Sequence, residues 1–137
     1  MRIQTLCLVG ALALACSDPS DSAAPETEDA RSAITSGGTW TVSYAPEPDP
    51  LPGNEEFSLD ISVEDDAGLA SGTSILLTAD MPDHGHGMNQ APVVSGSDGS
   101  FRVDGMLFHM TGDWRLIVDV TGDTGTESAE MWVKCCE

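Results

Sequence analysis

Two of the three histidines and two of the six methionines lie within a segment of eight residues, Met-Pro-Asp-His-Gly-His-Gly-Met, from Met81 to Met88. In an extended chain alternate side chains point the same way, so His84, His86 and Met88 are expected to share one side. The intervening glycines let the backbone bend around a small ligand. Imidazole and thioether together suit copper, whereas thioether is a poor zinc ligand. The segment therefore predicts a copper site, and a flexible polar loop is the alternative.

Met81 itself is a further candidate ligand, although it can also pack under the loop. A second segment, residues 105–114, contains the third histidine and two more methionines. Strand periodicity places Met106 in the core and His109 on the opposite side, where it is either a ligand or a single surface histidine. Met110, beside the turn at Gly112, is the ligand expected from this segment. One site forms only if the two segments meet at one end of the domain.

Period-two runs of apolar residues predict the strands that hold these segments. The runs cover residues 40–44, 57–63, 75–79, 93–94, 101–110, 114–120 and 129–133. A proline cluster from Pro46 to Pro52 is expected to end the first run. The fold class predicted is all-β, an immunoglobulin-like antiparallel β-sandwich of about seven strands, with an open barrel as the alternative.

The N-terminus has the layout of an export signal. Arg2 is followed by an apolar run over residues 6–15, which is shorter than the ~20 residues that span a bilayer but fits a signal peptide. The tetrapeptide Ala-Leu-Ala-Cys that ends at Cys16 resembles the lipobox of bacterial lipoproteins, in which the cysteine carries diacylglycerol. We expect a signal peptide over residues 1–15, lipidation at Cys16 and a membrane anchor, with cleavage and soluble release as the alternative.

Residues 16–37 are rich in Ser, Asp, Glu, Pro and Ala, with Ile34 as their only large aliphatic side chain. Such a segment buries too little apolar surface to offset the entropy of ordering, so a flexible acidic tether is expected. Residues 38–137 remain, which is enough for one folded domain.

Charge and motif content exclude two classes of function. The chain has 23 acidic and 5 basic residues and a formal net charge of −18, which repels nucleic acid and attracts cations. It contains neither an evident nucleophile–base pair nor a Gly-x-Ser-x-Gly motif, so we expect that it is not an enzyme.

Removal of the signal and lipidation of Cys16 leave Cys135 and Cys136 as the cysteines of the domain. Because they are adjacent, a vicinal disulfide, a bridge to another chain, soft metal ligation and no role at all remain open. A redox or electron-transfer role that uses Cys135 with the histidines is a third functional hypothesis.

The order of residues 81–88, followed by Asp-Gly-Ser-Phe at 98–101 and Phe-His-Met-Thr-Gly-Asp-Trp at 108–114, resembles the YtkA-like domain family, which is related to the FixH-like proteins of copper-oxidase assembly. The similarity extends roughly from Trp40 to Val133. It implies an extracytoplasmic immunoglobulin-like sandwich that handles copper or another metal, with function carried by His84, His86 and Met110. The chain departs from FixH-like members in having a lipid anchor where they have a transmembrane helix.

Together these features predict a lipid-anchored module, periplasmic or on the cell surface, that binds or transfers copper and works with a copper-handling partner protein. The alternative is a surface domain for protein–protein interaction that binds no metal.

Overall fold

The computed structural model describes residues 31–136, and all of the regular structure in that range is β. The strands are β1 Ser32–Ile34, β2 Thr41–Glu47, β3 Glu56–Asp65, β4 Gly68–Leu69, β5 Ser74–Met81, β6 His86–Gly87, β7 Val93–Ser97, β8 Ser100–Leu107, β9 Gly112–Gly122 and β10 Gly125–Cys135. The predicted all-β antiparallel fold is confirmed. There are ten strands instead of about seven because β1, β4 and β6 have only two or three residues, too few to produce a visible alternation.

The strands form two antiparallel sheets that enclose one core. The six-stranded sheet has the order β1-β2-β3-β8-β7, with β4 paired to β3, and the four-stranded sheet has the order β10-β9-β5-β6. Buried side chains alternate with half-buried or exposed ones along β3 and β9, as expected for strands with one face in the core. Among the described residues, no helix is long and apolar enough to cross a membrane.

Strand β2 continues through Pro46 to Glu47, so it ends three residues later than the predicted run, inside the proline cluster. Pro46 lies opposite Leu59 of β3 and faces the core. Strand β1 pairs with residues 41–43 of β2, and among residues 31–136 no strand lies on that side of β2 at Pro46. A proline, which lacks the backbone N–H, is tolerated at such an edge because no donor is required there.

The folded body begins earlier than expected, since β1 lies within the segment predicted to be a tether. Its backbone pairs with β2, and the Ser36 N–H donates to the Ser128 carbonyl of β10 at 2.9 Å. Ile34 is 67% exposed, so this pairing and the buried Thr35 order the segment without much apolar burial. The tether prediction is therefore wrong for residues 31–37. The rest of the predicted tether, residues 16–30 with Cys16, and the predicted signal peptide lie outside the described residues.

A β-bulge at Gly105 sets which residues after β8 face the core. Phe57 of β3 lies opposite Met106, whereas Leu59 lies opposite Val103, so the one residue between them on β3 faces two residues of β8. Gly105 has a φ of 75°, which glycine adopts without strain. The bulge keeps both Val103 and Met106 in the core, and Met106 is fully buried as predicted.

Glu127 of β10 holds the loop between β1 and β2. Its carboxylate accepts hydrogen bonds from the Thr35 hydroxyl and from the hydroxyl and N–H of Thr39. The bond from Thr35, followed by that from Thr39, lowers the pKa of Glu127 below its ordinary value. A carboxyl group with a lowered pKa stabilises the fold above its unfolded-state pKa, and the contribution is lost as the pH falls through the folded-state pKa.

We predict that Glu127→Ala lowers the melting temperature at neutral pH, and that the difference from wild type shrinks at a pH below the lowered folded-state pKa, where the carboxyl group is protonated in both states. Thermal denaturation followed by circular dichroism at the two pH values measures this. Glu55→Ala, in an exposed loop, is the matched control. An equal difference at both pH values would contradict the assignment.

Candidate metal centre

An aromatic cluster forms the floor of the candidate site. The ring of Trp114 in β9 is fully buried and stacks on that of Phe108 with centroids 4.5 Å apart and an interplanar angle of 11°. Phe57 meets Phe108 edge to face at 5.0 Å. The Trp114 indole N–H donates to the Met110 carbonyl at 3.0 Å, which satisfies the one polar atom of the ring. The backbone after β8 is therefore tied to β9.

The imidazoles of His86 and His109 lie at this floor, where the two segments meet, and the imidazole of His84 lies next to that of His86. The centroids of His86 and His109 are 5.1 Å apart, and those of His84 and His86 are 5.9 Å apart. The ring of Trp114 lies 6.1 Å from that of His86 and 5.6 Å from that of His109. His84 is exposed, while the other two are half-buried.

His84 lies in a turn and not in an extended strand. The alternation expected for residues 84–88 is therefore wrong at His84. The N–H groups of His84 and Gly85 donate to the Met81 carbonyl at 3.0 and 2.9 Å, which closes a turn over residues 82–85. Gly85 has a φ of 69°, a value that glycine adopts without strain. The chain then enters β6, and the Met88 N–H donates to the Ala79 carbonyl at 3.3 Å.

Met81 lies directly opposite His86 in the β5–β6 pair. Directly opposed residues of antiparallel strands point to the same face of the sheet, and Met81 is buried, so its side chain lies on the inner face beside His86. A Cβ placed on Gly112 would come within 2.8 Å of the Met81 Cε atom, so the thioether chain extends towards β9.

The other two methionines predicted as ligands, Met88 and Met110, differ in their surroundings. Met88 is half-buried and packs against the core. Met110 is 38% exposed, and its backbone carbonyl holds Trp114. The expected thioether ligands are thus one buried residue beside His86 and two residues nearer the surface.

Two ring nitrogens bear directly on metal binding. His86 Nδ1 lies 3.2 Å from the Gly87 carbonyl oxygen. Because a carbonyl oxygen only accepts hydrogen bonds, the ring hydrogen is assigned to Nδ1, and the lone pair of Nε2 can bind a metal ion. His109 Nδ1 is buried and, among the described residues, is the one buried side-chain nitrogen or oxygen atom without a hydrogen-bond partner. Such a group costs about 1–3 kcal/mol unless it finds a partner.

The ring spacing fits a shared ion. A metal bound about 2.0 Å from an imidazole nitrogen lies about 3 Å from the ring centre, so two rings on one ion have centres at most about 6 Å apart. The spacings of His84 to His86 and of His86 to His109 are both below that limit. Within residues 31–136 no three His, Cys, Asp or Glu side chains already form a complete ligand set. Coordination of one ion therefore requires rotation of the rings, and the His84 side chain is exposed.

Behind the site, Arg115 of β9 holds β5 in place. Its guanidinium donates to both carboxylate oxygens of Asp80 at 3.0 and 2.8 Å, on the outer face of the four-stranded sheet. This bidentate pair fixes the residue next to Met81. Sequence reasoning missed this contact, since only the register of β5 against β9 brings the two side chains together.

The two cysteines form a vicinal disulfide. Of the alternatives left open by the sequence, this is the one that the structure contains. With its sulfur bonded to Cys136, Cys135 offers no thiolate for a site shared with the histidines in this state.

Gly112 and Gly125 offer a test of the packing between Met81 and β9. Both have positive φ, 132° and 120°, but only at Gly112 would a Cβ meet a neighbour within 4 Å. We predict that Gly125→Ala costs about 1–3 kcal/mol from backbone strain and that Gly112→Ala costs more, because Met81 must also move. Urea denaturation measures both; equal losses would mean that the Met81 contact contributes nothing.

Comparisons of the chain with protein-family models, with curated proteins and with solved structures find no match. The resemblance to the YtkA-like family therefore stays a prediction.

Proposed function

We propose that the chain is an extracytoplasmic, lipid-anchored module that binds or transfers copper, and that it is not an enzyme. The observation that carries the proposal is the convergence of three imidazoles from two distant segments, with centroid spacings of 5.1 and 5.9 Å. One of them, His109, has a buried nitrogen that lacks a hydrogen-bond partner among the described residues. A bound metal ion would supply that partner.

The donor atoms support copper over zinc. Imidazole binds copper in both oxidation states, and thioether favours Cu(I). Met81 lies on the inner face beside His86, so a thioether is available next to the most central imidazole. Zinc sites use thiolate, imidazole or carboxylate, and a thioether adds little to them.

The exposure of the ligands supports exchange of the ion with a partner. His84 is exposed on a turn, whereas His86 and His109 are half-buried over Trp114. An ion would then be met first by His84 and held by the inner pair. The net charge of −18 raises the local concentration of cations around the module.

The membrane anchor and the copper-handling partner remain part of the proposal. Lipidation at Cys16 would place the folded body, which begins by residue 31, near the surface of a bacterial membrane on its extracytoplasmic side. A partner that delivers or receives copper would approach the end of the sandwich that carries His84.

We predict that a soluble chain of residues 17–137 binds Cu(I) and Cu(II), and that His86→Ala and His109→Ala each weaken binding at least tenfold, since loss even of an outer-shell partner costs about 10–100-fold. His84→Ala should weaken binding less. Competition with a chromogenic chelator measures the affinity for Cu(I). Cu(II) should also quench the fluorescence of Trp114, whose ring lies 5.6 Å from that of His109.

Met81→Leu tests the thioether, because this swap conserves volume and costs little stability. It should lower affinity for Cu(I) more than for Cu(II). Met131→Leu, at an equally buried position of β10, is the matched control and should leave both unchanged. Unchanged copper affinity in all of the histidine variants would remove the proposal.

One observation favours the alternative of a protein-interaction domain. The outer face of the four-stranded sheet exposes two large apolar side chains, Leu76 at 60% and Trp132 at 45%. If the chain binds no metal, this face is the surface that would bind a protein partner. Trp132→Ser would then abolish capture of that partner without changing the fold.

A further inference from the structure

We propose that the Cys135–Cys136 disulfide is a redox-gated second metal site, separate from the imidazole site. A thiol opens the disulfide, and the two thiolates then bind one soft ion such as Cu(I). The proposal does not depend on metal binding by the histidines.

The two sulfurs differ in access. Cys135 is the last residue of β10, lies opposite Gly112 and is 3% exposed. Cys136 is half-buried and lines a cavity of about 390 Å³, whose other walls include Tyr44, Leu51 and Val133. A thiol that enters this cavity therefore reaches the Cys136 sulfur first.

Reduction proceeds in two balanced steps. The incoming thiolate forms a bond with Cys136 Sγ, the bond between the two cysteines breaks, and Cys135 leaves as a thiolate. A second thiolate attacks the external sulfur of the mixed disulfide, which releases Cys136 as a thiolate and an external disulfide. Overall two thiols are oxidised to one disulfide, the cysteine pair is reduced, and the protons of the two thiols pass to the cysteines or to solvent.

The reduced pair has the reach and the chemistry for a soft ion. A metal–thiolate bond of about 2.3 Å allows two sulfurs on one ion to be up to about 4.6 Å apart, which adjacent residues with Cα atoms about 3.8 Å apart or closer can span. Both residues are held in ordered backbone, since Cys135 pairs in the ladder and Cys136 Sγ lies 3.3 Å from the Pro52 carbonyl oxygen. Thiolates select Cu(I) among the copper oxidation states.

Two basic side chains lie in the wall of the cavity that Cys136 lines. Arg31 and Lys134, two of the four basic side chains among the described residues, line this cavity with Asp49. The Arg31 guanidinium binds the Asp49 carboxylate at 2.7 and 3.0 Å. A guanidinium or ammonium group near a cysteine favours the thiolate form of its sulfur.

The test is the Cu(I) stoichiometry of the soluble chain of residues 17–137, which contains every described residue, in its oxidised form and after reduction by a dithiol that is then removed without oxygen. We expect one additional equivalent of Cu(I) in the reduced form. Cys135→Ser and Cys136→Ser should lose that equivalent and keep the one bound by the imidazoles. A double variant, His86→Ala with His109→Ala, should lose the imidazole equivalent and keep the additional one, so the two proposals fail separately.

Alkylation of the reduced wild-type chain with iodoacetamide removes the thiolates without any mutation and should abolish the additional equivalent. Identical stoichiometry in the oxidised and reduced forms, or an additional equivalent that survives alkylation, would overturn the proposal. The point of attack is measured by trapping the mixed disulfide with a small thiol and sequencing the peptide by mass spectrometry. The adduct is expected on Cys136, and an adduct confined to Cys135 would contradict the proposed route of entry.

Discussion

The stacking of Trp114 on Phe108 joins the two sheets at the end where the histidines lie, and the candidate site depends on it. Phe108 follows the last residue of β8 in the six-stranded sheet, while Trp114 belongs to β9 in the four-stranded sheet. Such a pair contributes about 0.5–1.5 kcal/mol beyond its buried area. His109 comes directly after Phe108, and His86 is carried by the other sheet. The distance between these imidazoles is therefore set by how the sheets pack.

Glycine conformations bring the remaining parts into place. The bulge at Gly105 shifts the alternation of β8 by one residue. Val103, before the bulge, and Phe108, after it, therefore both face the core, although they are five positions apart. The turn closed on the Met81 carbonyl reverses the chain and returns His86 to a position opposite Met81. Without these two irregularities, a regular strand period would carry the soft donor atoms away from one another.

Soft atoms thus occur at two places near one end of the four-stranded sheet. Gly112 of β9 is opposite Cys135 on one side and next to the Met81 methyl group on the other, so the imidazole site and the disulfide flank the same strand. The two places differ in donor type and in redox state. Imidazoles are available at any potential, whereas thiolates appear only after reduction. We propose that the same small domain holds soft ions in two ways.

The alternating runs along β3, β9 and β10 determined the all-β class, because one buried face imposes a period of two wherever the strand is long. The grouping of His, Met and Gly in residues 81–88 determined the predicted location of the metal site. The sequence alone could not reveal the short strand β1, which is ordered by backbone pairing with little apolar burial. Only the tertiary structure decided which donors meet, since the distance from His86 to His109 follows from sheet packing, a bulge and a turn that no local pattern encodes.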